Sequence, residues 1–387
     1  MWPSIRPSTF HDGIEAWTAS LGPAETALIG LGAIASLLGI GVALRRYRRT
    51  PGERFRRLLA NRDEVAVLMH PNPDPDAMSS AMAVAEIADS VDTDATLQYP
   101  GEIRHQENRA FQTVLGLGFE RIESAADIVA DQVVLVDHNA ARGFDGASSV
   151  EPTAVVDHHP GNGTGDDFTD VRTDYGACAT ILTEYLQSLG VEPNGNGDQS
   201  TPSLADETAT GLLYGVQSDT NRLTKGCSSA EFDACAFLYP GVNQTVLDRI
   251  ANPQVSAGAL ETKARAICDR QVRGSFAVCD VGEVPVVDAI PQAADELTSL
   301  EGVTAVVVYG EHEGTLHLSG RSRDDRVHMG EALRAVVEDI PMANAGGHAR
   351  MGGGQVSVEH MQGIGPSDGI SRRELTDRLF GALDGDV

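Results

Sequence analysis

"VAVLMHPNPDPDAMSSAMAVAEIADS", residues 65–90, decides how the chain is read. It opens on an unbroken apolar run, the signature of a strand buried on both faces. Three prolines at 71, 73 and 75 then interrupt regular structure. From Asp76, near the expected cap, small apolar residues recur at helical spacing. The turn between strand and helix holds His70, Asp74 and Asp76, three metal-grade ligands close together in sequence.

The same alternation continues. "QENRAFQTVLGLG" (106–118) reads as a helix, and "QVVLVDHN" (132–139) and "TAVVDHHPG" (153–161) as β-branched runs that end in aspartate and histidine. "TDYGACATILTEYLQSLG" (173–190) is a helix with a stop at Gly190, and "LADETATGLLYGVQSDT" (204–220) is a helix running to Asp219. "VEPNGNGDQSTPS" (191–203) between them is a surface loop. Strands alternating with helices predict an α/β fold with a doubly wound parallel sheet, placed at residues 63–227. After a helical linker at 228–257, strand-like "SFAVCDVG", "VTAVVVYGEHEGTLHLSGRS" and "GGQVSVE" mix with helical "VHMGEALRAVVEDI" and "SRRELTDRLFGAL". They predict a second, smaller α+β domain at 258–387.

The 387 residues carry a net charge of −27 with a pI near 4.6, and Lys225 and Lys263 are the only lysines. Such acidity suits high salt, where dense carboxylates keep a surface hydrated and salt screens their repulsion. It argues against long duplex nucleic acid, whose binding needs basic stripes. Five cysteines without a CxxC pair read as isolated and reduced. Residues 26–44 form 19 uncharged positions, and seven arginines follow within 13 residues. A single transmembrane helix is expected at 24–44, with an outer tail at 1–23 and a basic juxtamembrane segment at 45–62. The positive-inside rule then puts everything after Arg45 in the cytoplasm, on a single-pass cell-membrane protein. A cleaved signal peptide wants its basic residues before the apolar run, and here they follow it.

Candidate ligands cluster at strand and helix ends: His70, Asp74 and Asp76; Asp137 and His138; Asp157, His158 and His159; and Asp219. In a parallel sheet the C-terminal strand ends share one crevice. Several carboxylates converging there would repel one another unless cations neutralise them. Mixed imidazole and carboxylate donors suit two divalent ions, manganese foremost. One such Asp alone is ordinarily a cap and one such His ordinarily a surface residue; four segments ending alike is a different pattern. His11, His105, His312, His317, His328 and His360 lack that setting and are expected at the surface.

"VVDHHPG" resembles the motif of the DHH phosphoesterase superfamily, "MHPNPDPDA" its first motif, "LVDHN" its second and "GVQSDTNRLT" its fourth. "LSGRSRDDRVHMGEAL" and "NAGGHARMGGG" are similar to the arginine and GGH motifs of the DHHA1 domain. The resemblance implies His70 and Asp74 on one metal, Asp76, His158 and Asp219 on a second, and Asp137 bridging both. It implies Asp157 orienting an imidazole, His159 at the substrate phosphate, and Arg321, Gly346, Gly347 and His348 clamping the substrate across an interdomain cleft, with Arg323 a further candidate. Asp137, His159 and Asp157 would then be the catalytic set, working by a two-metal hydroxide attack on phosphorus. The implied substrates are small: cyclic di-AMP, linear dinucleotides, very short RNA or 3′-phosphoadenosine 5′-phosphate, as for nanoRNase and cyclic di-AMP phosphodiesterase members, and such members often form homodimers. The "DHN" at 137–139 resembles family II pyrophosphatases, which keeps inorganic pyrophosphate open, while the GGH motif speaks against it. A RecJ-type single-strand exonuclease and a non-catalytic nucleotide-binding membrane sensor are the remaining alternatives.

Overall fold

The computed structural model describes residue 22 and residues 49–193, 202–363 and 369–385. These form two compact units, one of the residues up to 102 with 115–247, the other of 103–114 with 248–387.

The first unit opens with α1 (Pro51–Leu59), where Thr50 and Glu53 form a reciprocal capping box and Phe55 and Leu59 are buried. β1 (Glu64–Leu68), α2 (Pro75–Asp89) and β2 (Asp94–Pro100) follow, then α3 (Gln106–Leu115), most of which groups with the second unit. β3 (Glu120–Ile122), β4 (Val133–Val136), β5 (Ala154–Asp157) and β6 (Phe168–Val171) complete a sheet ordered β3-β2-β1-β4-β5-β6, parallel throughout. The strand order reverses between β1 and β4, the place where an open α/β sheet offers a crevice at its carboxyl edge. Helices α4 (Cys178–Ser188) and α5 (Asp206–Asp219) both pack on α2. Gly215 permits the close approach, since a Cβ there would sit 2.3 Å from Ser79 Oγ. Glu192–Pro193 (β7) and Ser203–Leu204 (β8) pair in parallel and tie the ends of the loop expected at 191–203. α6 (Ser229–Leu238) and α7 (Gln244–Ala251) come next.

The second unit begins with α8 (Ala257–Asp269), β9 (Gln271–Arg273), β10 (Phe276–Glu283) and α9 (Ala289–Leu297). β11 (Ala305–His312), β12 (Thr315–Ser322), α10 (Met329–Val337), β13 (Asn344–Gly347), β14 (Met351–Ser357), α11 (Val358–Met361) and α12 (Arg372–Asp384) complete it. Its sheet runs β13-β14-β12-β11-β10-β9, and only β10 and β11 pair in parallel. Alternation along β11 sends Ala305, Val307 and Tyr309 towards α10 and α12, and Val306 and Val308 towards α9. A mixed-sheet α+β domain thus follows a parallel α/β domain, as the strand and helix patterns predict.

No helix among the described residues is long and apolar enough to cross a membrane, and the span expected at 24–44 lies outside the described residues.

Candidate metal centre

His70 follows β1, Asp137 follows β4 and His158 follows β5, so three donors hang from adjacent carboxyl ends around the switch point. Asp74 is the N-cap of α2: its Oδ1 accepts from Ala77 N at 3.0 Å, and its Oδ2 is left 3.6 Å from His70 Nε2. Asp76 lies in the first turn of α2 and Asp219 is the last residue of α5.

Asp137 joins the two sides. Its Oδ2 is 3.3 Å from His70 Nε2 and its Oδ1 is 3.2 Å from His158 Nε2. His158 Nε2 is also 3.4 Å from Asp219 Oδ2 and 3.7 Å from Asp76 Oδ2. His70, Asp74 and Asp137 therefore form one tight donor group, and Asp76, His158 and Asp219 another. Asp137 has φ +62°, a left-handed conformation that costs a non-glycine residue about 1–3 kcal/mol and that clusters at functional sites.

The ring orientations are fixed from behind. His70 Nδ1 is 3.0 Å from Pro71 O and His158 Nδ1 is 3.2 Å from Tyr175 O. A carbonyl can only accept, so Nδ1–H donates and Nε2 is turned to the cluster. Both Asp76 oxygens accept backbone N–H bonds at 2.7 Å, from Cys178 and Ala179 at the start of α4. Both oxygens of Asp137 and the Nε2 of His158 are buried with no hydrogen-bond partner. Two carboxylate oxygens and an imidazole nitrogen converging on one point without hydrogen bonds are costly in a finished core, and cations bound by the deprotonated donors would satisfy all three.

Burial lowers the His70 imidazole, but Asp137 and Asp74 outweigh it and push it up to about 11. His158 rises against burial for the same reason, through Asp137 and Asp219. Burial pushes Asp219 up to about 6 and also raises Asp76. Asp137 is opposed by burial yet held well below the usual carboxylate range by the two imidazoles. At pH 7 without metal both imidazoles are thus charged, and each must shed a proton before its Nε2 can ligate. Metal uptake should therefore release protons, and affinity should climb from pH 6 to pH 8. Calorimetry in phosphate and in Tris should give enthalpies that differ in line with the two buffers' ionisation enthalpies; equal enthalpies would show rings already neutral.

Asp157 does not face the cluster as a donor. Its Oδ1 accepts from His158 N at 2.8 Å, His159 N at 3.0 Å and His159 Nδ1 at 3.0 Å, and its Oδ2 accepts from Asn139 Nδ2 at 2.6 Å. It orients His159, whose ring stays half-exposed and whose Nδ1 is 3.6 Å from Asp137 Oδ1. His138 is buried, donates from Nδ1 to Val136 O at 2.9 Å, and is lowered by burial to about 4, which keeps it neutral. Asn139 is a residue the charge pattern missed, although it stands in the quoted "LVDHN". Gly161 and Gly163 press on it: a Cβ at Gly163 would sit 1.5 Å from Asn139 O.

The other candidates lie in the second unit. Arg321 Nε donates to Asp295 Oδ1 at 2.5 Å and its Nη1 donates to Ser319 Oγ at 3.0 Å, which leaves Nη2 free of both partners. Gly346 and Gly347 end β13, and His348 N donates to Met351 O at 2.7 Å, the residue registered opposite Arg321. Arg323 is exposed. Of the histidines expected at the surface, His105 and His328 are exposed, the latter as the N-cap of α10, whereas His312, against Val284 O, His317, lining a cavity, and His360 are half-buried; His11 lies outside the described residues.

Residues 64–216 match the model of the DHH family, N-terminal domain, and residues 273–364 that of the DHHA1 domain. The chain carries a DHH domain followed by a DHHA1 domain. An uncharacterised protein of Methanocaldococcus jannaschii is 32% identical over 320 residues, 82% of this chain and 62% of that protein. The cyclic-di-AMP phosphodiesterase GdpP of Geobacillus thermodenitrificans is 26% identical over 327 residues, 78% of this chain and 46% of its own. A probable manganese-dependent inorganic pyrophosphatase of Exiguobacterium is 34% identical over 131 residues, 33% of this chain and 42% of its own. This chain thus spans less than two thirds of the length of each of these relatives. The crystal structure of an exopolyphosphatase-related protein from Bacteroides fragilis shares the fold, with a TM-score of 0.60 at 15% identity over 87% of this chain and 96% of that one. The acidic and histidine cluster of the DHH domain is a divalent-metal centre.

Proposed function

We propose that the protein is a manganese-dependent phosphoesterase acting on small nucleotides: cyclic di-AMP, linear dinucleotides, very short RNA or 3′-phosphoadenosine 5′-phosphate. The observation that carries this reading is Asp137, whose two orphaned oxygens are shared between two donor groups at the switch point of the sheet. His70, Asp74 and Asp137 would hold one cation and Asp76, His158, Asp219 and Asp137 the other. Bound there, divalent cations polarise a phosphoryl oxygen and make water nucleophilic at neutral pH. His159, steered through Nδ1 by Asp157, presents its Nε2 to a phosphoryl oxygen. The Arg321 guanidinium, already held by Asp295, Ser319 and the Gly320 carbonyl, keeps Nη2 for a phosphate.

Manganese is supported by the name of the pyrophosphatase relative and by the mixed nitrogen and oxygen donors. Inorganic pyrophosphate is the second reading, favoured by "DHN" at 137–139 and by that same relative. The pyrophosphatase match spans only 33% of the chain, however, whereas the phosphodiesterase match spans 78%. With manganese, the full chain should turn over cyclic di-AMP, a linear diadenosine dinucleotide or 3′-phosphoadenosine 5′-phosphate at least ten times faster than pyrophosphate. Hydrolysis of pyrophosphate alone would overturn the nucleotide assignment.

A further inference from the structure

α6 begins with a capping box. The Ser228 hydroxyl accepts from Ala230 N at 3.1 Å, and Glu231 Oε2 accepts from Ser228 N at 2.5 Å and from Ser228 Oγ at 2.8 Å. At the start of α1 the same device, Thr50 with Glu53, leaves its glutamate exposed. Glu231 differs in two respects. It is fully buried, the only glutamate so placed among the described residues. Its second oxygen, Oε1, accepts at 2.8 Å from Gly176 N, 55 residues back along the chain. A helix cap accounts for the first oxygen and not for the second.

Gly176 N belongs to the same peptide bond as Tyr175 O, the atom that holds His158 Nδ1 at 3.2 Å. In a trans peptide N–H and C=O point in opposite directions. This peptide therefore stands between a buried carboxylate and the imidazole whose Nε2 faces Asp76, Asp137 and Asp219. A carboxylate drawing on the N–H puts more negative charge on the carbonyl oxygen, and hydrogen bonds in series strengthen one another. The carbonyl then fixes the ring more firmly and makes Nε2 a better donor to a cation. The peptide has little room to move: a Cβ at Gly176 would sit 2.6 Å from Gly226 O and 2.8 Å from Thr220 Cγ2. Both atoms belong to the turn after Asp219, where Asn221, Arg222 and Leu223 are left-handed at φ 47°, 59° and 61°. Such strain persists only where the surroundings over-determine it. That turn leads to Ser228, the residue at the other oxygen of Glu231.

We propose that Glu231 is a positioning residue of the metal centre: through the Tyr175–Gly176 peptide it holds His158 in its ligating orientation and tightens the cation shared with Asp76 and Asp219. This inference rests on the reading of His158, Asp76 and Asp219 as holding one of two cations.

The test is manganese binding to the full chain, followed by the electron paramagnetic resonance signal of the free ion. Wild type should take up two equivalents. In Glu231→Gln one oxygen must serve three donors. Placed on Ser228 it leaves the Gly176 N–H against an NH₂ group, and placed on Gly176 it is a neutral, weaker acceptor. Either way the support of His158 falls, and one equivalent should bind about 10–100-fold more weakly. The other should keep its affinity, since none of His70, Asp74 and Asp137 bonds to this link, and its retention certifies a folded domain. Ser228→Ala is the matched control. It removes the hydroxyl of the same cap and should lower Tm, but it spares the bond from Gly176 to Glu231, so both equivalents should bind as in wild type. Two equivalents of wild-type affinity in Glu231→Gln, loss of both together, or the same selective loss in Ser228→Ala would overturn the role of Glu231. A wild type that binds no manganese fails the metal-centre reading itself, and this inference with it.

Discussion

Asp137→Asn is expected to abolish metal-dependent turnover while leaving the fold intact. The substitution keeps size and shape, and asparagine tolerates the left-handed backbone at φ +62° better than most residues. What changes is charge and donor character. The carboxylate spans the gap between His70 Nε2 at 3.3 Å and His158 Nε2 at 3.2 Å, and it is the group common to both sides of the cluster. An amide can offer one oxygen to one side, and it turns an N–H towards the other. Loss of a single preorganised polar group costs about 10²–10³ in kcat, and loss of a group serving two cations should exceed that. Rates at saturating manganese, with bound metal counted by elemental analysis, decide the matter. A variant within tenfold of wild type that retains both equivalents of metal would sink the shared-carboxylate reading.

The residues that made this site visible in the sequence did so for physical reasons. β1, β4 and β5 are buried on both faces, so their sequences are uninterrupted apolar runs, and the Asp and His at their ends stand out. β2, β3 and β6 escaped notice. Asp94–Pro100 is mostly half-buried and carries Gln98 and Asp94, Glu120–Ile122 has three residues, and Phe168–Val171, at an edge of the sheet, buries only Phe168. The helix at 106–115 was legible as a helix, but an amphipathic pattern does not say which unit its apolar face will join. At the site itself, ligand types were legible and their supports were not. Backbone N–H groups carry no residue code, so nothing in "YGACAT" announces that Cys178 and Ala179 grip Asp76.

That grip on Asp76 separates two carboxylates that look alike in the donor list. Asp76→Asn and Asp219→Asn should both remove metal-dependent activity, yet only the first should destabilise the metal-free protein. Burial and the neighbouring Asp137 and Asp219 carboxylates raise Asp76, so its protonation state varies with pH, but in either state both oxygens can accept the N–H bonds from α4. An amide cannot: its NH₂ would face one of those N–H groups and leave it orphaned in a site with no solvent exposure. Such an orphan costs about 1–3 kcal/mol. For domains of this size that corresponds to a fall in Tm of roughly 3–10 °C. Asp219 sits at the end of α5 with its side chain 22% exposed and with His158 as its ion-pair partner among the described residues. Its amide variant keeps the shape and orphans no backbone group, so Tm in EDTA should stay within about 2 °C of wild type. Thermal melts of both variants in EDTA, beside activity with manganese, give the comparison. An unchanged Tm for Asp76→Asn would show that α4 does not depend on the carboxylate, and an equal fall for both would assign the loss to charge in the cluster as a whole.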